Sequence, residues 1–202
     1  MRRVFLLSPA HCGGLRARMV LSPRASFALA RRVQAEGAPL GEIFAFLSGL
    51  YFRGKLAYAR AFAPAGGAFV ITPVEGLRPL DDPIGLDRLL AYAAVDIHEA
   101  DARYRGPLLR DARAVAAALD DDGDAVLLGS VATAKYVEPL LEVFGPRLVF
   151  PADFVGRGDM SRGGLLLRSA DAGTELPYVP VATARRRGPR PPRLVPRARR
   201  VP

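Results

Sequence analysis

Short apolar runs alternate along the chain with polar, glycine-bearing loops. The runs cover residues 4–7, 43–47, 69–71, 125–128 and 148–150. Each is rich in Val, Ile, Leu or Phe and lacks the alternation of a strand with one wet face, so each reads as a strand buried in a parallel sheet. Helical spacing of apolar positions separates them: residues 24–36 ending at Gly37, 51–62 ending before Pro64, 86–94, a helix opened by Pro107 and running to Leu119, and one ending at Gly145. Residues 72–79 hold two prolines and predict an ordered irregular loop. Residues 151–164 read as the longest polar loop. Residues 165–167 and 176–181 read as a C-terminal hairpin around Asp171-Ala-Gly173, with Pro177 and Pro180 at an edge.

Strand–helix–strand alternation predicts an α/β fold, a three-layer Rossmann-like sandwich with a mainly parallel sheet of about five strands plus that hairpin. In such sheets ligands bind outside the strand C-termini, so the loops following the strands locate the site.

Charge divides the chain unevenly. The formal net charge is +9, yet residues 185–202 hold eight Arg, five Pro and no acid, which leaves residues 1–184 close to neutral. The expected organisation is one α/β domain over 1–184 followed by a disordered Arg/Pro-rich tail over 185–202. One cysteine, Cys12, excludes an internal disulfide, and two His with one Cys argue against a zinc site; no metal is expected and no cofactor is identified. The apolar stretch after Arg2 and Arg3 is too short for a signal-peptide core, and no run approaches a membrane span, so a soluble cytoplasmic protein is expected.

Basic residues are almost all Arg. Lys55 and Lys135 are the only lysines. Lys supplies a compact charge and a tunable pKa that Arg cannot, so both merit attention.

The candidate chemistry sits in the loops. After the fourth run, Gly129-Ser-Val-Ala-Thr-Ala-Lys135 has the ingredients of an anion cradle: Ser130 and Thr133 as donors, Lys135 as a charge, and a helix N-terminus. It is not a Walker A motif, and Ser130 or Thr133 could equally cap the helix. Residues 151–164 offer Asp153 and Asp159 as acid–base groups, Arg157 and Arg162 as anion binders, and Ser161 as donor or nucleophile. An ordered surface loop held by Asp–Arg pairs is the alternative. The Arg-Gly-Asp triplet at 157–159 occurs often by chance.

Ser8, Gly13 and Gly14 follow the first strand, where phosphate or nucleobase contacts are expected, but the Gly-x-Gly-x-x-Gly fingerprint of a dinucleotide site is absent. Cys12 beside His11 reads as a structural thiol rather than a catalytic pair. Glu75 is a general-base candidate if it faces the cleft, and otherwise a solvated turn acid. Tyr51, Phe52, Arg53 and Lys55 could stack a base and hold a phosphate, or form a helix with aromatics inside and cations outside.

The stretch 69–79, Phe-Val-Ile-Thr-Pro-Val-Glu-Gly-Leu-Arg-Pro, and the opening Val-Phe-Leu-Leu-Ser of residues 4–8 resemble the core domain of archaeosine synthases and related nucleobase-modification proteins. The similarity covers at most the first half to two-thirds of the chain. That family's Cys-Ser or Lys-bearing first loop is replaced here by residues 8–14. The resemblance implies a three-layer α/β fold and chemistry on a nucleobase in RNA or DNA, with no catalytic residue carried over.

These readings combine into an expected enzyme acting on a nucleotide or nucleic-acid base, of the modifying-transferase or glycosylase-like kind, with nucleotide, RNA or DNA as partner. A non-catalytic nucleic-acid-binding protein using the scaffold and basic tail is one alternative. A small-molecule phosphate enzyme with an incidental tail is the other.

Overall fold

A computed structural model describes residues 2–194. Its sheet is built on four parallel strands, β1 (Arg3–Leu7), β3 (Ala68–Ile71), β6 (Asp124–Leu128) and β7 (Leu148–Pro151), with β4 (Leu77–Pro79) and β8 (Tyr178–Pro180) antiparallel at the edges. The strand order is β4-β3-β1-β6-β7-β8. Val4 to Leu7 and Ala125 to Leu128 are almost wholly buried, which is why these stretches are apolar without alternation. A separate ribbon pairs β2 (Ala38–Pro39) with β5 (Pro83–Ile84).

Among the described residues, eight α-helices accompany the strands: α1 (Leu15–Leu21), α2 (Ala28–Ala35), α3 (Leu40–Ser48), α4 (Leu50–Phe62), α5 (Leu86–Ala93), α6 (Ala102–Ala118), α7 (Ala134–Phe144) and α8 (Asp159–Ala172). The chain leaves β1 toward β3 on one side, then crosses back to β6 and β7 on the other. Right-handed crossovers in opposite directions put their helices on opposite faces, and the contacts agree: α4 packs with α8, and α6 with α7. The result is the expected Rossmann-like α/β architecture. None of the helices among the described residues is long and apolar enough to cross a membrane.

Several local expectations are corrected. Residues 43–47 lie inside α3, not in a strand. Leu40, Ile43 and Phe44 form its buried face, and a short apolar run does not distinguish buried helix from buried strand. The parallel core therefore has four strands. Residues 165–167 belong to α8, so there is no hairpin there; β8 pairs with β7 instead. Within 72–79, a turn with Thr72 N–H donating to the Gly76 carbonyl (2.8 Å) leads into β4. Gly76 has φ +73°, and a Cβ there would meet the Asp111 carboxylate and the Pro107 carbonyl. Helix α6 begins five residues before Pro107, capped by Asp101 Oδ1 accepting from Arg103 N–H at 2.9 Å.

The first part of the basic tail is placed against the domain without regular secondary structure. Arg187 donates to the Ala132 carbonyl (3.3 Å), and Arg157 donates to the Pro192 carbonyl (3.4 Å). The remainder of that segment, residues 195–202, lies outside the described residues.

Candidate active site

The parallel strands reverse direction of progress between β1 and β6, so the loops following these two strands open a crevice at their C-terminal ends. Ser8 leaves β1 with its N–H donating to the Leu128 carbonyl at 3.1 Å. Gly129 leaves β6 beside it. A Cβ on Gly129 would stand 2.8 Å from Ser8 Cβ and 3.1 Å from its Oγ, so the absence of a side chain there makes room for Ser8.

The floor is set by two helices that touch through bare backbone. A Cβ on Gly54 of α4 would lie 2.5 Å from the Gly163 carbonyl oxygen of α8, and one on Gly163 would lie 2.7 Å from Leu50 O and Tyr51 Cα. This close crossing brings Tyr51 and Lys55, one helical turn apart, toward Asp159 and Arg162, which are likewise one turn apart.

A cavity of about 620 Å³ results. Ser8, His11, Cys12 and Gly13 line it from the first loop, Tyr51 and Lys55 from α4, and Tyr92, Asp96 and His98 from the end of α5 and the segment after it. Ser130, Lys135 and Tyr136 complete it with Asp159.

Lys55 is the centre of this arrangement. It is 1% exposed, donates to the Ser8 carbonyl at 2.7 Å, and lies 2.9 Å from Ser8 Oγ. Its Nζ sits 4.3 Å from the Tyr51 ring centroid and 4.9 Å from that of Phe52. Burial lowers its pKa to about 7; the field of Asp159 opposes the fall and that of Arg162 adds to it. An amine held this way exchanges protons near neutrality, which an ordinary lysine does not.

The surrounding groups are less reactive. Burial pushes the Cys12 thiol up to about 12, and its Sγ donates to the Ala10 carbonyl at 3.6 Å, so it is a structural thiol. Burial also raises the Tyr51 phenol, and the nearby Arg162 guanidinium opposes the rise. Arg162 is 8% exposed, donates from Nε to the Phe154 carbonyl at 3.3 Å, and approaches Asp159 Oδ1 at 3.5 Å. Among the described residues no group of three or more His, Cys, Asp or Glu is placed to hold a metal ion.

Of the residues singled out from sequence, Ser8, Gly13, Lys55, Ser130, Lys135 and Asp159 line this one cavity, and both lysines are among them. Gly14 adjoins Gly13 as the residue before α1, and Arg162 lies behind Asp159. Others are elsewhere. Thr133 caps no helix through its side chain and faces a second depression with Arg185 to Arg187. Arg157 donates to the Asp153 carbonyl at 3.0 Å and to Ser161 Oγ at 3.2 Å, and Arg157 and Ser161 line a third depression beneath residues 190–194.

Glu75 does not line the cavity; it is held in an ion cluster. Arg88 clamps both its oxygens from Nε and Nη2 and also bonds Asp82 at 2.9 Å, Arg78 bonds Asp82 at 2.7 Å, and Tyr92 donates to Glu75 at 2.6 Å. Partial burial pulls the Glu75 carboxyl upward, but the bonds from Arg88 and Tyr92 prevail and hold it below the usual carboxylate range. A carboxylate so saturated is a poor general base.

Sequence reasoning did not select Tyr92, Asp96, His98 or Tyr136, which lie in helices or an aperiodic stretch and carry no motif. It also gave the cations of α4 an outward-facing alternative, whereas Lys55 points inward and Arg53 outward. Comparison with family models, with curated proteins and with solved structures returned no match.

Proposed function

We propose that this chain is an enzyme acting on a nucleotide or nucleic-acid base held in the switch-point cavity, with Lys55 as its proton-exchanging group. The observation that carries the reading is the buried Lys55 amine lining a crevice at the β1–β6 switch point, where α/β sheets bind nucleotides. The cavity is of nucleotide size, and Tyr51, Tyr92 and Tyr136 give it aromatic surface for a base. Lys135 and Ser130 supply donors for anionic oxygens, and the resemblance of residues 69–79 to nucleobase-modifying proteins favours the same ligand class. The arginines of residues 185–193 would add salt-sensitive affinity for a longer polyanion.

The test is calorimetric titration of the full chain with nucleosides, nucleoside monophosphates and short single-stranded oligonucleotides. At least one of these is expected to bind, with Lys135→Ala together with Asp159→Asn lowering affinity about tenfold or more, as loss of a charged hydrogen bond does. No binding by any of them, or binding indifferent to both substitutions, overturns the reading.

A further inference from the structure

Resting on the reading of this cavity as catalytic, we infer that Ser8 is a nucleophile and Lys55 its base, so that the enzyme cleaves an acyl group, an ester or amide, from its ligand through a covalent Ser8 ester. The geometry separates the two roles. Nζ donates to the Ser8 carbonyl, which orients the amine, and among the described residues its other hydrogen-bond neighbour is Ser8 Oγ at 2.9 Å. In the neutral amine the lone pair is then available to accept the Oγ–H proton, while Nζ itself is sealed against the Tyr51 and Phe52 rings. Ser8 Oγ is the atom of the pair set at the strand end, in the space that Gly129 leaves clear. Burial, which favours the neutral amine, places Lys55 in the form a base requires.

The steps balance without any further reagent except water. Ser8 Oγ bonds to the substrate carbonyl carbon as its proton passes to Lys55 Nζ. The ammonium so formed faces two aromatic rings and the field of Asp159, which offset part of the cost of its burial and of the Arg162 field. Lys55 returns the proton to the leaving oxygen or nitrogen as its bond to carbon breaks. Water then attacks the Ser8 ester, giving one proton to Lys55 and releasing the carboxylic acid, and Ser8 recovers its proton. An acyl group fits better than a phosphoryl group, because a tetrahedral acyl intermediate develops one negative charge. The cationic side chains here are few: Lys55 is committed as base and Arg162 is turned toward Phe154 and Asp159, which leaves Lys135 to meet that charge.

An alkyl fluorophosphonate tests the pair directly: Oγ–P forms, fluoride leaves, and the proton goes to Lys55. Intact-mass and peptide analysis of the full chain should show one phosphonyl group, on Ser8. The rate should rise with pH through about 7, as Lys55 loses its proton. Lys55→Met should slow labelling about 100-fold and abolish that pH dependence, Lys55→Arg should not restore it, and circular dichroism should show both variants folded. Ser8→Ala should take no label. Absence of label on folded wild-type protein, label on another residue, or a rate unchanged by Lys55→Met overturns the inference. Nucleotide binding that persists without labelling would sink the Ser8–Lys55 pair alone. Ser8 labelling that no nucleoside, nucleotide or oligonucleotide slows would support the pair and sink the nucleotide reading.

Discussion

Two groups of ionisable side chains lie near the same edge of the sheet, and they treat charge in opposite ways. Around Glu75, each carboxylate meets a guanidinium: Arg88 bridges Glu75 and Asp82, and Arg78 holds Asp82. Around Lys55, among the described residues, the amine donates to Ser8 and faces aromatic rings, and Asp159 acts on it through the field without a hydrogen bond. The first arrangement pins the 72–79 turn to α5 and leaves little proton-exchange capacity. The second is costly to fold and chemically primed. Tyr92 belongs to both, lining the cavity while donating its hydroxyl to Glu75. A buried ionisable group without a counterion signals chemistry more clearly than a saturated cluster of many charges.

The sharpest way to break this contrast is to separate α4 from α8. Gly163→Val puts atoms where the Leu50 carbonyl and Tyr51 Cα already stand, and should destabilise the fold by about 3 kcal/mol in denaturant titration. It should also weaken ligand binding in the cavity, whereas the Glu75 cluster lies away from that crossing.

Next in size is Lys55→Met, which should stabilise the protein while removing activity. The folded chain keeps Lys55 neutral down to about pH 7, and the unfolded chain protonates it near its ordinary 10.5. Unfolding takes up a proton between those values, so wild-type stability gains with rising pH across that window. Exchanging the amine for a thioether of similar reach should therefore add about 2 kcal/mol at neutral pH and below, with the gain shrinking toward pH 10.5. Thermal melts over that range would show it, and a loss of stability at neutral pH would contradict the assigned cost of burial.

The smallest effect belongs to the paired cluster. Glu75→Gln should cost about 1 kcal/mol at neutral pH, since the cluster is partly open to solvent. Because the Glu75 pKa is held down in the folded state, wild type should lose this contribution as acidification protonates the carboxylate, and the variant and wild-type melts should converge there. Cavity binding and turnover should change little, and a large loss would return Glu75 to the reaction.

Much of this architecture is legible in the sequence. The strands β1, β3, β6 and β7 are legible because burial on both faces enforces unbroken apolar runs, and the loops after β1, β6 and β7 do supply cavity residues. Helix α3 was not, because five consecutive apolar residues satisfy a buried helix as well as a strand. Helix α8 was hidden by its glycines: Gly163 disfavours helix locally and is compensated by its close fit on α4, a tertiary effect that no local pattern records. The scarcity of lysine pointed to Lys55 and Lys135. That Lys55 turns inward while Arg53 turns outward depends on how α4 is rotated against the sheet, which its amphipathic spacing left open.

The α4–α8 crossing also bears on precision. Where Gly54 meets Gly163 the contact is made by atoms with no side-chain torsions, so there are no rotamers to hop and no side-chain entropy to lose on docking. Two helices seated on leucines can shift as those side chains repack, but two seated backbone on backbone have one close approach and a hard wall beyond it. The distance from Lys55 to the first turn of α8 is thus fixed by a rigid stop, and changes elsewhere in the apolar core can accumulate while the spacing across the cavity floor holds.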